Sequence, residues 1–293
     1  MPEHTVELAV ARSCPPGVGS MTGYRGGGPD GLHRGLPSSR LTFIVSLDDG
    51  VEAAAEPDGL PAARPNPLVL GGLHVRTSWV RQRPGQAGVQ LAVHPLAARS
   101  LFGVPAAELS VDDFAGADVL GAPGRRLHEQ LCEAGGWDEA FARVGDHLVR
   151  HRRDAAVRPE LRHAWALLEG SGGRRPVAEV AREVGFTARH LDTLFQREVG
   201  RSPKTVARLI RFERATTALA GQARVGRVDL AGLAARCGYS DQSHLSRDFV
   251  AFTALPPRRW VAEELWNIQS GGHRSAAPSE HEHTDPLVDP AGP

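Results

Sequence analysis

The chain has 293 residues, 41% of them hydrophobic and 23% charged, with 34 basic side chains balanced by 34 acidic ones. This is the make-up of an ordinary globular protein of about two domains, and it excludes collagenous and disordered chains. No apolar run approaches the roughly 18 residues of a membrane span, and Met1-Pro-Glu-His-Thr5 lacks the basic and apolar regions of a secretory signal, so a cytoplasmic protein is expected. The zero net charge is unevenly distributed. Residues 1–155 hold 15 arginines against 18 acids, residues 156–270 hold 18 basic side chains against 12 acids, and residues 271–293 hold one arginine against four acids. A basic block between acidic ones points to a polyanionic partner for that block alone. Cys14, Cys132 and Cys237 are far apart with no CxxC pair. They read as free thiols in a reducing compartment rather than as a zinc or disulfide framework.

Residues 1–39 are rich in Gly and Pro (Cys14-Pro-Pro-Gly17, Gly26-Gly-Gly-Pro-Asp30) and read as loop with one short strand at most. Leu41-Thr-Phe-Ile-Val-Ser-Leu47 is β-branched and aromatic and runs into Asp48-Asp-Gly50, a strand entering a turn. Residues 68–70, 75–80 and 88–93 are further short strands, parted by Gly71-Gly72 and Pro84-Gly85. That spacing suits an antiparallel sheet or small barrel. From Pro95 the pattern is helical. Residues 95–102, 125–134 and 138–150 carry apolar side chains at helical spacing (Leu127, Leu131; Phe141, Val144, Leu148). The hydrophilic Arg150-His-Arg-Arg-Asp154 is the expected junction.

Beyond Arg158 every element reads as helix. Leu161, Ala164, Trp165 and Leu168 mark the first, closed by Gly170-Ser-Gly-Gly173. Val177, Val180, Ala181 and Val184 mark the second, ended by Gly185. Thr187 caps a third, whose apolar face is Leu191, Leu194, Phe195 and Val199. Ser202 and Pro203 start a fourth, expected to reach about Ala220 and so to span roughly 27 Å. Residues 230–237 and 240–253 then repeat the second and third helices, with Ser240 as the expected cap. Pro256-Pro257 opens a short last helix. The tail from about residue 266 has the composition of a disordered segment, and its His281 and His283 are too few to specify a metal site.

A short helix, a glycine turn, a capping hydroxyl and a second helix with polar residues at its start form a helix-turn-helix. Here it occurs twice, at about 177–199 and 229–252. The block 158–265 resembles the AraC/XylS family of transcription regulators. The second unit carries the resemblance most specifically, in Ala234-Ala-Arg-Cys-Gly-Tyr-Ser-Asp-Gln-Ser-His-Leu-Ser-Arg-Asp-Phe249 followed by Pro256-Pro-Arg-Arg-Trp260. Gly200-Arg-Ser-Pro203 and the arginine-bearing 208–215 join the two units. The amino-terminal half resembles the sensor of a less-studied AraC-type subgroup through His33-Arg-Gly-Leu-Pro37, Gly71-Gly-Leu-His74 and residues 88–99.

The resemblance implies an α+β protein. An amino-terminal mixed β-sheet or barrel, of the cupin kind many members use, comes with helices over residues 1–155. An all-α DNA-binding domain over 156–265 holds two helix-turn-helix motifs joined by a long helix, and residues 266–293 form the tail. It implies double-stranded promoter DNA as partner, with RNA polymerase, a small-molecule effector and a second subunit as further partners. The chain lacks the His-x-His and glutamate of metal cupins, so no metal or other cofactor is expected, and neither a membrane partner nor enzymatic activity is expected.

Helical geometry selects the side chains that face outward. For the first reader these are Arg189, His190, Asp192 and Thr193, joined by the cap Thr187 as a donor to phosphate, and for the second Gln242, Ser243, His244, Ser246 and Arg247. Arginine can donate twice to guanine O6 and N7, and glutamine suits adenine. Asp192 is read as orienting Arg189 or Arg197, and Asp241 as structural at a helix start. Lys204, Arg258, Arg259 and backbone N–H groups at helix starts are the phosphate candidates. The rival readings are a metal-dependent sensor or enzyme-fused regulator using His33, His74 and His94, and a constitutive binder whose front half only dimerises. Trp79 and Trp137 are read as core, with pocket lining as the alternative. No GxSxG, HExxH or phosphate-loop pattern is present.

Overall fold

The computed structural model describes residues 7–26, 30–112 and 114–269. The tail histidines His281 and His283 lie outside them. Strands β1 (Glu7–Val10), β2 (Val18–Arg25), β3 (Gly31–Gly35), β4 (Leu41–Ser46), β5 (Ala53–Ala54), β6 (Leu68–Gly71), β7 (Ser78–Gln82) and β8 (Ala87–Val93) make up the front half together with helices α1 (Ala98–Phe102), α2 (Gly116–Cys132) and α3 (Trp137–Arg150). Among the described residues the strands form two open antiparallel sheets rather than a closed barrel. One has the order β1-β2-β8-β4-β6 and the other β3-β7-β5. Alternation with period two sends Leu41, Phe43 and Val45 of β4, and Val89, Leu91 and Val93 of β8, to complete burial. Phe43 pairs with Leu91 on one side and Leu70 on the other. Helices α2 and α3 pack against this sheet and contribute Leu127, Leu131, Val144 and Leu148 to the same core.

The back half consists of α4 (Pro159–Gly170), α5 (Val177–Glu183), α6 (Ala188–Val199), α7 (Pro203–Arg224), α8 (Leu230–Cys237), α9 (Gln242–Thr253) and α10 (Pro257–Gln269). The linking helix α7 has 22 residues, so it spans about 33 Å rather than the 27 Å expected. Helix α10 continues to Gln269, so residues 266–269, expected in the tail, are helical.

Three strands lie in the segment read as loop. The signal in β2 is masked because the register slips between Val18 and Ser20, which breaks the alternation, and because Gly23 lies beneath the Trp137 ring. The strand expected at 75–80 is shifted to Ser78–Gln82. The helix expected from Arg125 begins at Gly116 and bends at Gly121, beside Pro123.

A single hydrophobic core runs through both halves. At the joint, buried His94 packs 5.0 Å from Trp165 of α4, which in turn stacks on Phe195 of α6 at 6.1 Å. His94 Nδ1 accepts from Leu96 N at 3.1 Å, and burial holds the ring well below its ordinary pKa, hence neutral. Polar contacts surround this joint. Ser38 Oγ donates to Glu213 Oε1, and Ser39 N and Oγ donate to Glu213 Oε2. Arg40 meets Glu169 at 2.6 Å, Arg99 meets Glu198 at 2.7 Å, Arg34 meets Glu263 at 2.7 Å, and Thr77 Oγ1 donates to the Phe252 carbonyl.

Candidate nucleic-acid interface

Helices α5–α6 and α8–α9 form two units of like construction, the first before α7 in the chain and the second after it, with α9 packed on Arg208 and Phe212 of α7. In each, the first helix buries two apolar side chains, Val180 and Ala181 or Leu233 and Ala234. A left-handed glycine follows, Gly185 (φ 76) or Gly238 (φ 78). Gly238 is constrained twice, since an added Cβ would overlap the Arg174 stem that lies over it. The second helix, the reader, points its inner side chains into the core. These are Leu191 and Phe195 in α6, and Leu245 and Phe249 in α9, all fully buried.

Thr187 caps α6 by accepting from His190 N at 3.2 Å. In α9 the cap is Asp241, not Ser240. Asp241 Oδ1 accepts from His244 N at 2.7 Å, and this backbone hydrogen bond lowers the carboxyl's pKa. Unit two thus carries one more residue between its turn glycine and its cap, and Ser240 instead bonds Asp241 and His244 Nδ1.

At 100° per residue, Arg189, Thr193 and Gln196 of α6 fall within about 60° of one another on the side opposite Leu191 and Phe195. Ser243, Arg247 and Val250 of α9 do the same. All six are exposed. The remaining candidates flank these stripes. His190 and His244 lie on one side, each edge-on to an aromatic ring of the preceding turn: Phe186 at 4.7 Å and Tyr239 at 5.1 Å. Half-buried Asp192 and Ser246 lie on the other side, and exposed Gln242 sits at the start of α9. Thr193 Oγ1 donates back to the Arg189 carbonyl at 3.0 Å. The structure shows no ion pair from Asp192 to Arg189 or Arg197, so the expected orienting contact is not formed. Of the phosphate candidates, Lys204 and Arg258 are exposed, whereas Arg259 is paired with Glu263, which also holds Arg34.

The readers are anchored differently. Arg208 of α7 bonds Asp248 of α9 at 2.8 Å and lies 4.9 Å over the Phe252 ring. Arg211 sits over the Tyr239 ring at 5.7 Å and donates to the Gly173 carbonyl. Burial and the nearby Asp248 charge push the Tyr239 phenol well above its ordinary pKa. The position in α6 that matches Asp248 is apolar Leu194. Sequence reasoning missed this anchor and also missed Gln196 and Val250. The last two could have been found by following the outward stripe into the third helical turn.

His33, His74 and His94 do not converge. His33 Nδ1 lies 3.9 Å from Glu264, His74 packs on Phe114, and His94 occupies the joint. Among the described residues no three His, Cys, Asp or Glu side chains are grouped to hold an ion, and no helix is long and apolar enough to cross a membrane. Trp137 is partly buried and packs against the core on Phe141, with Arg25 over its ring, whereas Trp79 is partly buried with Arg34 over its ring.

Residues 180–263 match a family profile described as a helix-turn-helix domain. No curated protein matches the chain. Among solved structures, an apo variant of ToxT from Vibrio cholerae is similar at 9% identity and TM-score 0.47, over 86% of this chain and 99% of that one. Wild-type ToxT from the same organism, bound to an unsaturated fatty acid, is similar at 11% identity and TM-score 0.44, over 89% and 97%. The AraC-like transcriptional activator CuxR is similar at 13% identity and TM-score 0.26, over 69% and 84%. TM-scores below 0.5 leave these likenesses at the level of rough outline. The two glycine-turned units, joined by one long helix and matched by that profile, make residues 180–263 a tandem helix-turn-helix domain.

Proposed function

We propose that this chain binds specific promoter sites by laying α6 and α9 in two successive major grooves of one duplex, and that its front half controls that binding. The observation that carries the reading is the pair of matching exposed stripes, Arg189-Thr193-Gln196 on α6 and Ser243-Arg247-Val250 on α9, each on the second helix of a glycine-turned unit. Arg189 and Arg247 are the candidate guanine readers, with Lys204 and Arg258 on the phosphates.

Control by the front half is supported by the contacts it makes with both units, through Arg99–Glu198 to the first reader and Thr77–Phe252 to the second. A ligand or a second subunit that favours one arrangement of these contacts would shift DNA affinity by its preference for that arrangement. An open recess of about 360 Å³ lies beside β5 in the front half, lined by Val51, Ala53, Ala63, Arg64, Pro65 and Asn66. Its size lies at the small end for a ligand site.

Selection of duplexes from a randomised pool by the full chain tests the proposal. The expected product has two short conserved blocks about one helical turn apart, bound less tightly as salt rises. Absence of enrichment, or one block alone, would overturn it.

A further inference from the structure

The reader α9 has an unusual outward stripe. Ser243 and Arg247 are polar, but one turn beyond Arg247 the stripe continues with Val250, 47% exposed, and exposed Ala251 flanks it. The matching positions in α6 are the exposed Gln196 and Arg197. A lone exposed valine on a protein surface is unremarkable. This one lies within about 60° of Arg247 around the helix axis and about 5 Å along it, on the face that carries the candidate base readers. In the major groove an amide pairs with adenine, whereas an apolar side chain complements only the thymine 5-methyl group.

We infer that Val250 is a specificity residue that packs on a thymine methyl, in the base pair next to the one read by Arg247. The inference rests on the reading of α9 as a groove-binding helix. The two units would then have unequal codes. The first is polar along its whole stripe. The second combines one guanidinium with one methyl-sensing contact, so its half-site needs a thymine at that step.

The test starts from duplexes that the wild-type chain selects out of a randomised pool. In the preferred duplex each thymine is replaced singly by deoxyuridine, which removes the methyl and keeps the pairing. One thymine in the half-site of the second unit is expected to lose about fourfold in affinity, the factor expected for burying a single methyl-sized apolar group. In Val250→Ala that same replacement is expected to have no effect, and Val250→Gln is expected to change the preferred base there. Val250 is exposed, so both variants keep the fold. If no thymine is sensitive, or if the sensitive one remains so in Val250→Ala, the assignment of Val250 is wrong while DNA reading stands. If the wild type selects no duplex at all, the underlying reading fails as well.

Discussion

The two helix-turn-helix units share a plan and differ in how they are held. The first reader, α6, packs into the core through Leu191, Leu194 and Phe195, the last stacked on Trp165 of α4, and is backed by the front half. There Arg99 pairs with Glu198, and Gly200 approaches Ala107 so closely that an added Cβ would lie 3.0 Å from its Cα. The second reader, α9, has at the position of Leu194 an ion pair between buried Asp248 and part-exposed Arg208. At this matched position one reader is thus held by shape and the other by charge. A charged anchor fixes orientation through a directional hydrogen bond, but it leaves a buried carboxylate dependent on a single partner.

The largest expected effect comes from breaking that anchor. Removal of one member of a buried pair costs about 3–5 kcal/mol. Because the Arg208 side chain is 35% exposed, Arg208→Ala is expected to cost about 2 kcal/mol in chemical denaturation. Asp248→Leu makes unit two resemble unit one and is expected to stay within about 1 kcal/mol of wild type. If the leucine variant proves as unstable as Arg208→Ala, the contrast between shape and charge is wrong.

Arg247 and Thr193 occupy equivalent outward positions. Arg247→Ala is expected to weaken binding to a selected duplex about tenfold, within the 1–3 kcal/mol of a bidentate base contact. The Thr193 hydroxyl is already engaged by the Arg189 carbonyl, so Thr193→Ala is expected to change affinity less than about twofold. Equal losses from the two would contradict the assignment of the second stripe.

The caps sharpen the comparison further. Thr187→Ala is expected to cost about 1 kcal/mol, measured as a shift in the unfolding midpoint. At the other ends of the readers, Gly200 and Ala254 both adopt left-handed backbone, with φ 77 and 59. The alanine carries steric strain that the glycine avoids, so Ala254→Gly is expected to gain about 0.5 kcal/mol and Gly200→Ala to lose at least about 1 kcal/mol. A loss from Ala254→Gly would show that other contacts dominate there.

The back half was largely legible in the sequence. Its helices are local and amphipathic and are punctuated by Gly185, Gly200 and Gly238, so spacing alone places them. The front half was less legible because glycines and a bulge interrupt the alternation in β2, and because pairings such as Val18 with Val93 are distant in sequence. The cap of α9 lies one residue beyond the expected Ser240, at Asp241, because both residue types cap well and the local sequence does not choose between them. Asp248 could not be interpreted without knowing that Arg208, 40 residues away, faces it. The contacts of Ser38 and Ser39 with Glu213 span some 174 positions and leave no local pattern.

The stacking of His94, Trp165 and Phe195 has a practical consequence. The seam between the halves is greasy inside and charged only at its rim, so the reading block cannot be lifted out as a portable cassette. A nick in residues 151–158 should leave the two pieces clinging together. A fragment starting at Pro159 should expose the Trp165 indole face and clump unless that surface is redesigned.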